Sequence, residues 1–195
     1  MWAAQFFKLD QPRTWLTSGG LGTMGFGFPA ALGAQMAFPD RTVLAIVGDG
    51  SFQMNLQELA TAMDYGLAVK VVIVNNGFHG MVRQWQDLFY NGRYASSRLG
   101  SYPDYVKLAE AYGAVGLRAD RPGDLDAAIK AAIRSDKPVL LDVHVDPSEN
   151  CYPMIPAGGA NHQMILEDPP ELKQKIKGKT PADAGNGEKE GILTA

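Results

Sequence analysis

Three segments of the chain carry nearly continuous runs of apolar residues between polar or glycine positions. They read TVLAIV (residues 42–47), VKVVIV (residues 69–74) and PVLLDVHVD (residues 138–146). A strand that is covered on both faces has this pattern, because neither face meets water. These segments therefore predict buried strands of a parallel sheet. Two weaker patterns, TWLTS (residues 14–18) and AVGLRA (residues 114–119), predict short additional strands.

Between the strands, apolar residues recur at helical spacing. The segment PGDLDAAIKAAIRS (residues 122–135) predicts an amphipathic helix, and DYVKLAEAYG (residues 104–113) predicts a helix with an aspartate N-cap and a glycine stop. Pro29 suits an early helical position in FPAALGAQMAF (residues 28–38). Further helices are predicted around residues 2–9, 56–65 and 79–92.

Strands that alternate with helices predict an α/β fold in three layers, with a mostly parallel sheet and helices on both faces. Residues 1–166 are expected to form this domain, with the Pro- and Gly-rich segment 147–166 as a C-terminal arm. Residues 167–195 are rich in Lys, Glu, Gly and Pro, which predicts a polar tail that is disordered in part.

Composition excludes several classes of function. The chain has 195 residues and a net charge of −3, and the lack of a basic block argues against nucleic acid as a partner. No apolar run reaches membrane-spanning length, so no membrane is expected. Cys151 is the one cysteine, which suits a reducing compartment, and a cytoplasmic location is expected. The N-terminus does not resemble a signal peptide, and its abrupt start suggests a fragment of a longer protein.

Two of the predicted strands end on oxygen-bearing side chains. Asp49 stands between two glycines after the first strand, and Asn75 and Asn76 end the second. Ligands of open parallel sheets bind beyond the carboxyl ends of the strands, so these side chains converge if the strands are neighbours. One carboxylate and one carboxamide form a partial shell for Mg²⁺, which prefers oxygen ligands and often binds substrate phosphates. Gly50 and Ser51 lead into a helix start, which favours an anion.

Alternative interpretations of these glycine and asparagine motifs stay open. Gly-Asp-Gly is also a common tight turn, and Asn-Asn is a common strand-end cap. The segment GLGTMG (residues 20–25) matches the dinucleotide-binding pattern, with Asp49 as its acidic residue, but Asp49 lies inside a glycine turn of its own. The side chains of His79, Met81 and Trp85 follow the Asn pair. Met81 and Trp85 suit either a protein core or the wall of a cofactor site, since they share one helical face, whereas the position of His79 suits a hydrogen-bond donor to a nearby anion.

The span GDG(x24)NN, residues 48–76, resembles the motif of thiamine-diphosphate enzymes. The segments SGGLGTMGFGFPAALGAQ, NNGFHGMVRQWQDLFYNGRY and CYPMIPAGGANHQMI narrow the resemblance to the catalytic subunit of acetohydroxyacid (acetolactate) synthases, over about residues 2–166. It implies the thiamine-diphosphate-binding fold and roles for individual positions.

The implied Mg²⁺ ligands are Asp49, the side chain of Asn76 and the backbone carbonyl of Phe78. The implied diphosphate contacts are Gly50, Ser51, Gly77, His79 and Gly80. The residues implied around the cofactor rings are Gly22, Thr23, Met24 and Met81, with Met24 as an apolar wedge, and those of the substrate channel are Trp85 and Ala157. Met24 and Trp85 are the residues expected at the reacting end.

The resemblance also implies an activity. Such enzymes decarboxylate pyruvate and condense the resulting enamine with a second 2-oxo acid, in branched-chain amino-acid biosynthesis. The resemblance further implies FAD in the full-length enzyme, bound outside this domain, a homo-oligomer whose subunits share the active site, and a possible regulatory subunit. The activating glutamate of the family belongs to a partner's domain that this chain does not resemble, so the isolated domain is expected to be inactive.

Two alternatives remain beside this function. The parent could be another thiamine-diphosphate enzyme, such as a pyruvate oxidase or a glyoxylate carboligase, or the chain could be a fragment without activity.

The segment NNGFHGM departs from the more usual NNQHLGM of the family. The diphosphate contacts at Gly77, Phe78 and His79 are therefore the part of the site that this departure affects.

Overall fold

A computed structural model describes residues 1–101 and 103–172 of the chain. It divides into two compact units. The first unit contains Met1–Phe78 and Leu99–Val145, and the second contains His79–Arg98 and, of the remaining chain, the described residues 146–172. Most of the predicted tail, residues 173–195, lies outside the described residues.

The first unit is built on four parallel strands in the order β1-β2-β4-β3. Each strand is short and largely apolar, as the sequence predicts. The strands are β1 (Leu44–Gly48), β2 (Lys70–Asn75), β3 (Val115–Ala119) and β4 (Val139–His144). Since β1 pairs directly with β2, with Gly48 opposite Val74, the ends that carry Asp49 and Asn75–Asn76 are neighbours.

Helices lie on both faces of this sheet, which confirms the three-layer α/β prediction. The expected burial of both strand faces is wrong for β1, because its Leu44 and Ile46 are 44 % and 40 % exposed. The α-helices of the first unit are α1 (Trp2–Phe6), α2 (Gly27–Ala37), α3 (Asp49–Gln53), α4 (Leu59–Asp64), α6 (Tyr105–Ala111) and α7 (Pro122–Arg134), and a 3₁₀ turn (Leu56–Glu58) precedes α4. One face, which carries Val71, Ile73 and Leu140, packs against α2, α3, α4 and α6. The other face, which carries Leu141, packs against α7.

Helix α6 shows why these residues form these elements. Asp104 caps it, because its side chain accepts hydrogen bonds from the backbone N–H groups of Val106 and Lys107. Gly113 follows the helix at φ +80°, a conformation that favours glycine. Both the cap and the stop agree with the sequence prediction.

The short strand predicted at residues 14–18 is wrong. These residues have no regular structure, and Leu16 in their middle is 63 % exposed. Five residues of suitable pattern form a strand only when a neighbouring strand pairs with them. Among the described residues, β1 pairs only with β2, so its other edge gives this segment no partner.

The second unit contains α5 (Gly80–Phe89), a 3₁₀ turn (Asn161–Gln163) and an isolated antiparallel bridge between Met154 and Ile165. Its helix buries polar residues, and Gln84 is 1 % exposed. Gln84 donates to the carbonyl of Cys151 at 2.9 Å and accepts from the N–H of Cys151 at 2.8 Å. Arg83 donates to the carbonyl of Ser148 at 3.0 Å. Helix α5 thus holds the arm by hydrogen bonds.

Candidate functional site

The two strand ends of the predicted site are joined by a direct hydrogen bond. The backbone N–H of Gly77 donates to Oδ2 of Asp49 at 3.0 Å, and Asp49 is 1 % exposed. This bond brings the carboxylate that follows β1 to the turn that follows β2. The carboxylate and the Asn76–Phe78 turn therefore occupy one edge of the sheet.

The turn after β2 has a shape that its sequence explains. Oδ1 of Asn76 accepts from the N–H of Phe78 at 3.1 Å, an Asx turn, and Gly77 has φ +77°. The carbonyl of Gly77 accepts from the N–H of Leu99 at 3.0 Å, which ties the turn to a later segment of the same unit. A residue with a Cβ would be strained at Gly77, so its glycine is a requirement of the turn.

The donor set at this edge fits a hard cation. A carboxylate, a carboxamide oxygen and backbone carbonyls are the ligands that Mg²⁺ and Ca²⁺ take in proteins. Within residues 1–101 and 103–172, no group of three or more His, Cys, Asp or Glu side chains is arranged to hold a metal ion. This edge offers amide and carbonyl oxygens beside a single carboxylate.

The glycine-rich loop also reaches the strand end that carries Asp49. The N–H of Gly25 donates to Oγ of Ser51 at 3.0 Å, and Gly25 has φ +79°. Upstream, Gly22 has φ +66°, and Oγ of Ser18 donates to the carbonyl of Thr23 at 3.1 Å. Gly22, Thr23 and Met24 are exposed, Met24 by 41 %, whereas Gly50 is buried in the first turn of α3.

The remaining predicted positions, His79, Gly80, Met81 and Trp85, belong to the second unit. His79 is the N-cap of α5, its N–H donates to the carbonyl of Ser97 at 2.8 Å, and its Nδ1 is buried without a hydrogen bond to any described residue. Trp85 is half-buried and packs edge-to-face against Phe89 at 5.4 Å between ring centroids. Ala157 lies exposed in the arm of the same unit.

Several buried side chains near the edge were missed by the sequence reasoning. The hydroxyl of Tyr105 donates to the carbonyl of Asp49 at 3.3 Å, and Oδ1 of Asp142 accepts from Nδ2 of Asn75 at 3.0 Å. Both residues are 1 % exposed or less. A charged residue in the apolar run PVLLDVHVD was a signal that could have identified Asp142, since a buried carboxylate needs partners. Tyr105 carries no such signal.

Comparison with known proteins adds the chemistry that the geometry leaves open. A family model described as the thiamine pyrophosphate enzyme C-terminal TPP binding domain matches residues 1–143. The acetolactate synthase large subunit of Haemophilus influenzae is 51 % identical over 172 residues, which are 88 % of this chain and 30 % of that protein. The acetolactate synthase isozyme 3 large subunit of Escherichia coli is 52 % identical over 169 residues, 85 % of this chain and 29 % of that protein.

A solved structure of a thiamine diphosphate-dependent enzyme is also similar to this chain. The thiamine diphosphate-dependent 4-hydroxybenzoylformate decarboxylase of Rhodococcus jostii RHA1 is 36 % identical, with a TM-score of 0.60 over 65 % of this chain and 24 % of that one. This chain spans less than a third of the length of the curated relatives it matches. Among the described residues, no helix is both long and apolar enough to cross a membrane.

Proposed function

The chain belongs to the thiamine pyrophosphate enzyme family, whose C-terminal TPP-binding domain it matches over residues 1–143, and from this premise we propose that it is the diphosphate- and Mg²⁺-binding domain of an acetolactate synthase. The observation that carries the proposal is the hydrogen bond from Gly77 to Asp49, which joins the two halves of the GDG and NN motif at one sheet edge. Identity of about 50 % to acetolactate synthase large subunits over most of the chain supports that enzyme within the family.

Particular residues would hold the metal and the cofactor. Asp49, the side chain of Asn76 and the carbonyl of Phe78 would ligate Mg²⁺. Gly50, Ser51, Gly77, His79 and Gly80 would contact the diphosphate. The cofactor rings would lie against Gly22, Thr23, Met24 and Met81, with Trp85 and Ala157 at the substrate channel.

Each protein group has a separate task in this proposal. The carboxylate of Asp49 supplies the only protein charge at the metal, and Ser51 fixes the glycine-rich loop through Gly25. The exposed Met24 presents an apolar surface on that loop to the cofactor. When bound, thiamine diphosphate supplies the electron sink for decarboxylation of a 2-oxo acid.

The proposal extends to the longer protein in which such a domain works. That protein would convert pyruvate and a second 2-oxo acid to an acetohydroxy acid, for branched-chain amino-acid biosynthesis. It would bind FAD outside this domain and share its active site between subunits of a homo-oligomer, with a regulatory subunit as a further partner. The single cysteine supports a cytoplasmic location. Residues 1–166 as the domain, and residues 167–195 as its tail, remain part of this proposal.

The experiment that tests the metal site is calorimetric titration of Asp49→Asn with Mg²⁺ and thiamine diphosphate. Two unit charges about 4 Å apart interact by about 4 kcal/mol at an effective dielectric constant of about 20, and the desolvation of the carboxylate and of Mg²⁺ offsets the additional attraction of the divalent charge. We therefore expect Mg²⁺ affinity to fall by about three orders of magnitude. Asp126→Asn is the matched control, because Asp126 is 81 % exposed on α7 and pairs with Lys130 in the same helix. Equal affinities of the two variants would refute the site.

A second assay separates acetolactate synthase from a decarboxylase of the same family, the class of the matched solved structure. The full-length protein is given pyruvate with and without 2-oxobutyrate, and the products are separated. We expect acetolactate from pyruvate alone and acetohydroxybutyrate from the mixture. A protein that releases only aldehyde and carbon dioxide would refute the synthase assignment and leave the cofactor site intact.

A further inference from the structure

The first turn of α6 contacts the strand end that carries Asp49. Tyr105 is fully buried, and its hydroxyl donates to the carbonyl of Asp49 at 3.3 Å. Its ring packs edge-to-face on Phe52 of α3, at 5.7 Å between centroids. Tyr105 therefore fixes the start of α3, which follows β1 directly, from the side of α6.

The same turn is connected to the other strand end through charged side chains. Nη2 of Arg118 lies 2.8 Å from Oδ1 of Asp104, the N-cap of α6, and Nε lies 3.4 Å from Oδ2 of Asp142. The other oxygen of Asp142 accepts from Nδ2 of Asn75 at 3.0 Å. Asp142 also contacts His144, whose Nε2 lies 3.1 Å from Oδ2 of Asp142.

Asp142 is a buried carboxylate, and its partners indicate a structural role at this edge of the sheet. A carboxylate that is 1 % exposed is costly unless its charge is met and its oxygens are hydrogen-bonded. Here the charge is met by Arg118, and one oxygen is used to orient the carboxamide of Asn75. Asn75 is the last residue of β2, and Asn76 follows it. The orientation of Asn75 therefore sets the direction in which the chain leaves the sheet.

We propose that the first turn of α6 positions both strand ends of the Mg²⁺ site. Tyr105 holds Asp49 directly, and Asp142, linked to α6 by Arg118 and Asp104, holds Asn75 and hence the Asn76–Phe78 turn. Tyr105 and Asp142 are positioning residues and do not touch the metal or the cofactor. The proposal rests on the proposed function in one respect: that function identifies Mg²⁺ as the ligand of the two strand ends.

The test uses Tyr105→Phe and Asp142→Asn in the full chain, since both substitutions keep the volume of the side chain. Amide hydrogen exchange, resolved by NMR, reads the N–H of Gly77, which donates to Asp49. We expect it to exchange about 5-fold faster or more, as for the loss of one ordinary hydrogen bond. The amide of Val71, near the start of β2 and far from Asn75 along the strand, should keep its rate. Mg²⁺ affinity in the presence of thiamine diphosphate should fall about 10-fold.

The matched control is Tyr112→Phe, the same change at the C-cap of α6, and it should leave both readouts unchanged. Unchanged exchange at Gly77 in both test variants would overturn the proposal. Equal acceleration at Gly77 and Val71 would also overturn it, because that result reports a weakened fold and not a loosened edge. If the wild-type chain bound neither Mg²⁺ nor cofactor, the proposed function would fail, whereas exchange at Gly77 would still decide the positioning role.

Discussion

The approach of α6 to β3 leaves no space for a side chain at Gly116. A Cβ built there would lie 2.6 Å from the carbonyl oxygen of Val106 and 2.7 Å from its Cα, both backbone atoms of α6. Ordinary contact needs about 3.4 Å, so Gly116→Ala forces the helix and the strand apart by about 0.8 Å. Neither backbone can avoid the contact by a change of rotamer.

The magnitude follows from two opposing contributions. Overpacking in a well-packed core costs about 1–3 kcal/mol, and a contact between backbones belongs to the upper part of this range. Alanine in a strand recovers about 0.5–1 kcal/mol of the backbone entropy that glycine loses on folding. We therefore expect Gly116→Ala to lower the free energy of unfolding by about 2 kcal/mol.

Urea unfolding followed by circular dichroism measures this loss. The matched control is Gly123→Ala in α7, where a Cβ meets no atom within 4 Å. That variant should be neutral or stabilised by up to about 1 kcal/mol, because alanine favours a helix over glycine. If Gly116→Ala had the same urea midpoint as Gly123→Ala, the close packing of α6 on β3 would be refuted.

Two further predictions concern the helix cap and the arm. The pKa of Asp104 is held below its usual value, first by the hydrogen bond from the N–H of Lys107 and then by Arg118, so its stabilising contribution is present above about pH 4 and is lost as the pH falls through the folded-state pKa. The stability difference between wild type and Asp104→Ala should therefore be constant above about pH 4 and shrink below it in urea titrations, and a difference that grows in acid would contradict this assignment. In the second unit, Gln84→Ala removes both hydrogen bonds to the backbone of Cys151, so the thiol, which is half-buried and has a raised pKa because of burial, should react faster with a thiol reagent. Gln86→Ala on the same helix is the control. Equal labelling rates in the two variants would refute the idea that the hydrogen bonds of Gln84 hold the backbone of Cys151 in place.

The sequence was sufficient to predict the sheet and the neighbouring strand ends that carry Asp49 and Asn75–Asn76. Continuous apolar runs identified β1, β2 and β4, although the expected cover on both faces is wrong for β1, whose Leu44 and Ile46 are exposed. The convergence of Asp49 and Asn76 followed from a general rule for parallel sheets, once the strands proved to be neighbours. The cap of α6 was predicted because capping depends on residues next to each other in the chain.

The remainder depended on contacts between distant residues, which no local pattern reports. Lys70 stands in the middle of an apolar run, yet it is 3 % exposed, and its Nζ donates to the carbonyls of Ser135 and Lys137. Its partners lie 65 and 67 residues away along the chain. Tyr105 also has a distant partner, since its hydroxyl donates to the carbonyl of Asp49, 56 residues away along the chain. Such partners are set by the packing of α6 and α7 on the sheet, and only the folded chain reveals them.

The two buried carboxylates at this edge differ in what their charges do. Asp142 forms an ion pair with Arg118 within the protein, which compensates its negative charge, so this charge does not add to the charge at a metal. Asp49 accepts a hydrogen bond from the neutral amide of Gly77, and its charge is the one that the proposed Mg²⁺ would meet. Loss of the Asp142 charge should therefore weaken Mg²⁺ binding through geometry, by about 10-fold, whereas loss of the Asp49 charge weakens it through direct electrostatics, by about three orders of magnitude. A larger effect from Asp142→Asn than from Asp49→Asn would contradict the roles proposed for the two residues.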